Sequence, residues 1–171
     1  MKYAIVTSSK TGNTKQLGDM ISECLFEQEI IYCGPPEEKA KEADILFIGF
    51  WTDKGTCDEE TKKFLNHLEQ KKVFLFGTAG FGGSESYFKK ILDRVRTEVN
   101  TSNEIIGTYM CQGKMPLSVR KRYEILQMKN PEDKKYEMLI ENFDQALSHP
   151  NQEDKDAIKQ IVCQIVDENV R

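Results

Sequence analysis

The chain has 171 residues, 39% of them hydrophobic and 30% charged, with a formal net charge of −4. That length suits one domain able to bury a substantial core, and the acidic balance argues against general nucleic-acid binding. Five scattered cysteines with no C-x-x-C, and only two histidines, offer neither metal-site spacing nor a disulfide framework, so a reducing cytoplasm is the expected location.

The apolar runs at 45–51 and 73–76 are far too short to span a bilayer. The first residues enter a strand at once and show no signal-peptide pattern. That first strand is expected over 3–7. It is followed by Ser8, Ser9, Lys10, Thr11, Gly12, Asn13 and Thr14, then by a helix over 14–27 with Leu17, Met20, Ile21, Cys24 and Leu25 at helical spacing. A short strand at 29–33 stops at Gly34-Pro35-Pro36, and a short polar helix covers 37–42. Next come a strand at 44–50, a helix at 58–70 with Phe64, Leu65 and Leu68 inward, and a strand at 72–76. A helix begins near Ser84, with Tyr87, Phe88, Ile91, Leu92 and Val95 on one face, and a fifth strand covers 104–111. Residues 112–151 hold two further helices, at 116–128 and 131–148. The final helix spans 152–168, with Asn151 placed to cap it.

Three strands are unbroken apolar runs, the mark of strands covered on both faces. Alternating strands and helices with right-handed crossovers give an α/β fold, a doubly wound five-stranded parallel sheet with helices on both faces and strand order 2-1-3-4-5. Residues 1–171 are read as a single domain with an extra helical segment at about 112–151. In such a sheet a ligand sits beyond the carboxyl ends of the strands, where the first and third separate.

The loop at that point is dense in hydroxyls, contains one glycine and runs straight into a helix. Free N–H groups at a helix start, with the positive end of its dipole, favour an anion. Ser8, Ser9, Thr11 and Thr14 can donate hydroxyl protons to phosphate oxygens, and Asn13 its amide. The loop lacks both the G-x-x-x-x-G-K-S/T of a nucleotide-hydrolysing P-loop and the G-x-G-x-x-G of a dinucleotide fold. A single phosphate of a mononucleotide suits it better. The stretch Ser9-Lys10-Thr11-Gly12-Asn13-Thr14 matches the S/T-x-T-G-N-S/T phosphate loop of the flavodoxins without a mismatch, and the chain resembles that family over roughly residues 1 to 111 and the final helix.

The resemblance implies FMN, with its isoalloxazine ring enclosed by the loops after the third and fourth strands. The first of these carries Phe50, Trp51, Thr52, Asp53, Lys54 and Gly55; the second carries Thr78, Ala79, Gly80, Phe81, Gly82 and Gly83. Trp51, the only tryptophan, is the first choice for a ring partner; Phe81 is the candidate in the second loop, and Tyr87 is assigned to core packing. In flavodoxins a small residue in the strand-three loop turns its carbonyl toward flavin N5 when the ring gains an electron, and Gly55 fits that role here. The strand-four loop departs from the family: it lacks the aspartate of the usual G-x-G-D and a stacking tyrosine.

His67 and His149 are read as structural, Cys57 and Cys111 as small packing residues, and Arg120-Lys121-Arg122 as a solvated helix face. The leading functional expectation is an FMN-binding electron carrier working between a reductase and an acceptor oxidoreductase, as a monomer, with no nucleic acid and no membrane insertion. A second reading is an NAD(P)H-dependent quinone or flavin reductase on the same fold. A third is a flavin-free interaction module.

Overall fold

A computed structural model describes residues 1–82 and 84–170. The strands are β1 (Lys2–Thr7), β2 (Glu29–Gly34), β3 (Ile45–Asp53), β4 (Thr56–Cys57), β5 (Lys72–Ala79) and β6 (Glu104–Gln112). The helices are α1 (Asn13–Cys24), α2 (Glu59–Asn66), α3 (Glu85–Arg96), α4 (Leu117–Lys129), α5 (Lys135–Ala146) and α6 (Gln152–Val170), with a 3-10 turn at Glu38–Glu42.

The sheet order is β2-β1-β3-β5-β6, all parallel, and β4 hangs antiparallel on the end of β3. This is the order expected from the alternation of strands and helices, with the two-residue β4 added. Alternate residues of each central strand face opposite layers. Tyr3, Ile5, Phe47, Phe74 and Phe76 pack with Leu17 and Ile21 of α1 and Ile158 and Val162 of α6. Val6, Leu46, Ile48, Phe50 and Leu75 pack with Phe64 and Leu65 of α2 and Ile91 and Val95 of α3. Burial on both faces is why these strands read as continuous apolar runs rather than alternating ones.

Several boundaries differ from the sequence reading. β3 runs to Asp53 because Lys54 (φ 50°) and Gly55 (φ 81°) form a tight left-handed turn that folds Thr56–Cys57 back onto it. α1 ends at Cys24, where Leu25 stays buried but the backbone leaves helical geometry and Phe26 is 78% exposed. α2 ends at Asn66, since fully buried Leu68 turns inward and Gln70 adopts φ 56° before β5.

α4 and α5 form a helical hairpin between β6 and α6. α5 anchors it by burying Phe143 and Ala146, whereas α4 buries no residue. Arg120 ties the two helices together, donating to both carboxylate oxygens of Asp144 at 2.8 and 3.0 Å. Asn151 caps α6 as expected: its Oδ1 accepts from the Asp154 N–H, and Asp154 Oδ2 accepts from the Asn151 N–H. Among the described residues, no helix is long and apolar enough to cross a membrane.

Gly49 lies where β3 approaches α1. A Cβ there would stand 2.3 Å from Phe76 Cζ and 3.0 Å from Thr14 Cγ2. Gly49→Ala is therefore expected to lower stability by about 1–3 kcal/mol through overpacking, read as a lower urea midpoint at unchanged slope.

Candidate functional site

β1, β3 and β5 end at the same edge of the sheet, with Thr7 opposite Gly49 and Trp51 opposite Thr78. The loops that follow them converge there. Gly12 stands at the N-cap of α1 in the left-handed region (φ 90°), where a side chain would be strained, and the first turn of the helix holds no acidic residue. Ser9 Oγ accepts from the N–H groups of Gly12 (3.1 Å) and Lys15 (3.3 Å), occupying part of the helix mouth. Among the described residues, the N–H groups of Asn13 and Thr14 have no acceptor. An anion of phosphate size could take them, aided by the helix dipole.

The remaining side chains of this loop act largely as struts. Ser8 is buried, its Oγ donating to Asp58 Oδ1 at 2.8 Å. Thr14 Oγ1 donates to the Phe50 carbonyl (3.1 Å) and lies 2.9 Å from Thr78 Oγ1. Asn13 Nδ2 donates to the Lys114 carbonyl (2.9 Å) and to Thr11 Oγ1 (3.1 Å), while Asn13 Oδ1 is buried with no partner among the described residues. The Lys10 ammonium stands 4.9 Å over the Trp51 ring, a cation–π contact.

A cleft of about 130 Å³ lies between the loops, lined by Lys10, Thr11, Asn13, Trp51, Thr52, Thr78 and Gly80 on the expected side. Gly113, Lys114, Met115 and Pro116 form its other wall. A larger open groove of about 700 Å³ runs between α3 and β6. The smaller cleft is the candidate because the helix N-terminus and the strand ends meet there.

The other expected residues have different surroundings. The Phe50 ring is fully buried in the core, so only its carbonyl serves the site. Thr52 Oγ1 donates to the Thr78 carbonyl at 2.9 Å. Asp53 and Lys54 belong to the β3–β4 hairpin, and the Gly55 carbonyl accepts from Arg94 Nη1 at 3.1 Å. Ala79 is buried, its carbonyl accepting from the Gly113 N–H. Phe81 is 48% exposed and meets Tyr87 edge-on, outside the cleft lining. Gly82 sits at φ 105°, and Gly83 lies outside the described residues.

Sequence reasoning missed three supports. Asp58, 3% exposed, caps α2 through Thr61 while holding Ser8, and its N–H donates to the Trp51 carbonyl. The D-x-x-T spacing ahead of α2 is a cap signal that points to it. Asn142 of α5 fastens the third loop: Nδ2 donates to the Gly80 carbonyl, and Oδ1 accepts from the Gly82 N–H and from Gln112 Nε2. No local pattern marks Asn142. Gly113 is marked only as a glycine, and a Cβ there would stand 2.5 Å from Asn13 Nδ2.

Both cysteines near the strand ends are packing residues. Burial, with Asp58 beside it, pushes the Cys57 thiol up to about 11, and burial pushes Cys111 higher still. Neither supplies thiolate at neutral pH. His67 caps α2 at the surface, and His149 pairs with Asp154 at 2.6 Å, both away from the cleft lining.

The Flavodoxin domain family model matches residues 4–163. The chain is 37% identical to the flavodoxin-like domain-containing protein BilS of Clostridium symbiosum, over 97% of this chain and 96% of that one. It is 31% identical to a BilS of Clostridioides difficile, over 90% of each. Among solved structures, a flavodoxin of Streptococcus pneumoniae TIGR4 is similar at TM-score 0.60 and 16% identity, covering 98% of this chain and 99% of that one.

The burial of these thiols sets an order of reactivity. With a disulfide reagent at about pH 8, exposed Cys33 and Cys163 are expected to titrate in the native protein. Cys57 and Cys111 are expected to titrate only in denaturant. Rapid native labelling of Cys57, seen by peptide mass mapping, would contradict this site geometry.

Proposed function

The chain belongs to the flavodoxin family, and on that footing we propose that it binds FMN at the 8–14 loop and carries electrons between a reductase and an acceptor oxidoreductase. The observation that carries this reading is the mouth of α1: left-handed Gly12, N–H groups at Asn13 and Thr14 with no acceptor among the described residues, and no acidic residue in the first turn. A phosphate monoester fits that donor set. The orphaned acceptor Asn13 Oδ1 suits the hydroxyls of a ribityl chain, which can donate to it.

Bound FMN supplies the capacity to take up and release one or two electrons. The chain's own residues bind, orient and shield. Trp51 offers a flat apolar wall, and Gly80 and Gly113 let backbone approach a ring edge. Gly55 holds the carbonyl suited to a ring N–H, in exchange for Arg94. The cleft is tight because Lys10 rests on Trp51 and Met115 rests on Gly80. Both side chains are long and unbranched, so their withdrawal enlarges it at little cost. Its titratable lining groups are Lys10 and Lys114, with no carboxylate or imidazole among them. That lining suits electron carriage, which needs no proton-transfer residue in contact with substrate. The five free cysteines agree with a cytoplasmic carrier.

Absorbance titration tests the reading. FMN is expected to bind with a shifted flavin band and strong quenching of Trp51 fluorescence, and riboflavin at least ~10-fold more weakly, since it lacks the charge that the loop accepts. Asn13→Ala is expected to weaken FMN by about 10-fold, the worth of one or two lost hydrogen bonds. Equal affinity for FMN and riboflavin would remove the phosphate site. Rapid bleaching of the bound flavin by NAD(P)H would replace the carrier with a reductase.

A further inference from the structure

The outward side of α4 does not look like a solvated helix face. Leu117, Ile125 and Met128 are 64, 53 and 82% exposed. Lys121, Arg122 and Lys129 are also exposed and make no ion pair among the described residues. The spacing 117, 121, 122, 125, 128, 129 puts all six on one side of the helix. The opposite side, with Arg120 bound to Asp144, faces α5. The sequence reading of Arg120-Lys121-Arg122 as one solvated face therefore divides: Arg120 is a structural cross-link, and its two neighbours belong to an unpartnered stripe of mixed cations and large apolar groups.

Charge separates this stripe from the rest of the molecule. Residues 114–129 hold five Lys and Arg against one Glu, in a chain whose net charge is −4. The remainder is thus acidic, and the excess of cations gathers on the approach to α4 and on α4 itself. That helix adjoins the candidate site, because Gly113 to Pro116 line the cleft and α4 begins at the next residue.

We propose that this face of α4 is the docking surface for a redox protein with an acidic contact face, seated so that it covers the mouth of the cleft. The inference rests on the electron-carrier reading, which is what calls for a protein at that mouth. The excess of cations on α4 turns that helix toward an acidic partner during approach. Leu117, Ile125 and Met128 then supply the apolar contacts that hold it, with Arg122 among them as a bidentate carboxylate donor. A membrane fits less well. A helix lying in a bilayer keeps its cations on the face opposite the apolar one, whereas here they alternate within one stripe. Nucleic acid would meet the acidic remainder of the chain.

The probe is plant-type ferredoxin, a small acidic iron–sulfur protein whose cluster broadens nearby amide signals. At low ionic strength, adding it to isotope-labelled protein is expected to broaden signals from residues 113–129. The effect should fade between about 20 and about 200 mM salt. Lys121→Glu with Arg122→Glu is expected to weaken binding at least ~10-fold while leaving the FMN titration unchanged. The docking surface is overturned by any of three results: no broadening, broadening that survives the charge reversal, or stronger perturbation of the same signals by phosphatidylglycerol vesicles. Failure of the carrier reading is separately visible. In that case the protein takes up no FMN by absorbance, and the ferredoxin result still reports on α4.

Discussion

The buried hydroxyl of Thr14 holds the functional edge of this molecule together. It donates to the Phe50 carbonyl and meets the Thr78 hydroxyl, so the start of α1 is tied to the ends of β3 and β5 at once. Parallel pairing alone brings these ends to one side. It does not fix how a helix N-terminus sits against them. A net worth of about 1 kcal/mol per bond is modest, but the bonds lie where water cannot substitute, and their loss would leave buried polar groups unpaired. Placement of the Asn13 and Thr14 amides relative to Trp51 and Gly80 follows from this knot.

Two braces stand outside it. Below, Asp58 accepts from Ser8 and Thr61 and, through its own N–H, holds the Trp51 carbonyl. One carboxylate therefore couples the phosphate-type loop to the β3–β4 hairpin. Above, the Lys114 carbonyl accepts from Asn13, and the Gly113 N–H donates to Ala79. The frame of the cleft is thus backbone and short, buried side chains, while the groups that narrow it, Lys10 and Met115, are long and flexible. A rigid frame with movable gates suits a site that must admit a ligand without rearranging the fold.

What the sequence made legible was local. The loop from Ser8 to Thr14 announces itself by composition and by its place between a strand and a helix. The sheet order follows from alternation, since each crossover has one favoured hand. The hairpin at Lys54-Gly55 was not legible, because its turn lacks the Asn-Gly or Asp-Gly signal and β4 is only two residues long. Phe50 and Trp51 face opposite ways because strand ends alternate: the Phe50 ring enters the core while Trp51, next to it, lines the cleft. Asn142 was invisible for a different reason. It lies 62 residues from the carbonyl it binds, and a polar residue on a helix carries no sequence mark of the loop it will meet.

That contact fastens a loop whose sequence departs from the flavodoxin pattern. The stretch from Gly77 to Gly82 holds four Gly or Ala residues and no carboxylate. Asn142 holds it from α5, binding Gly80 and Gly82 together. The loop's shape therefore depends on how α5 is seated, through buried Phe143 and Ala146. It also depends on how α5 is held to α4, through Arg120 and Asp144. Arg120 keeps the Asp144 carboxyl below the ordinary carboxylate range, so this link persists across neutral pH and is lost only as acid protonates Asp144. The helical hairpin inserted between β6 and α6 thus reaches the site: Arg120 joins α4 to α5 at Asp144, and Asn142 joins α5 to the loop at Gly80 and Gly82.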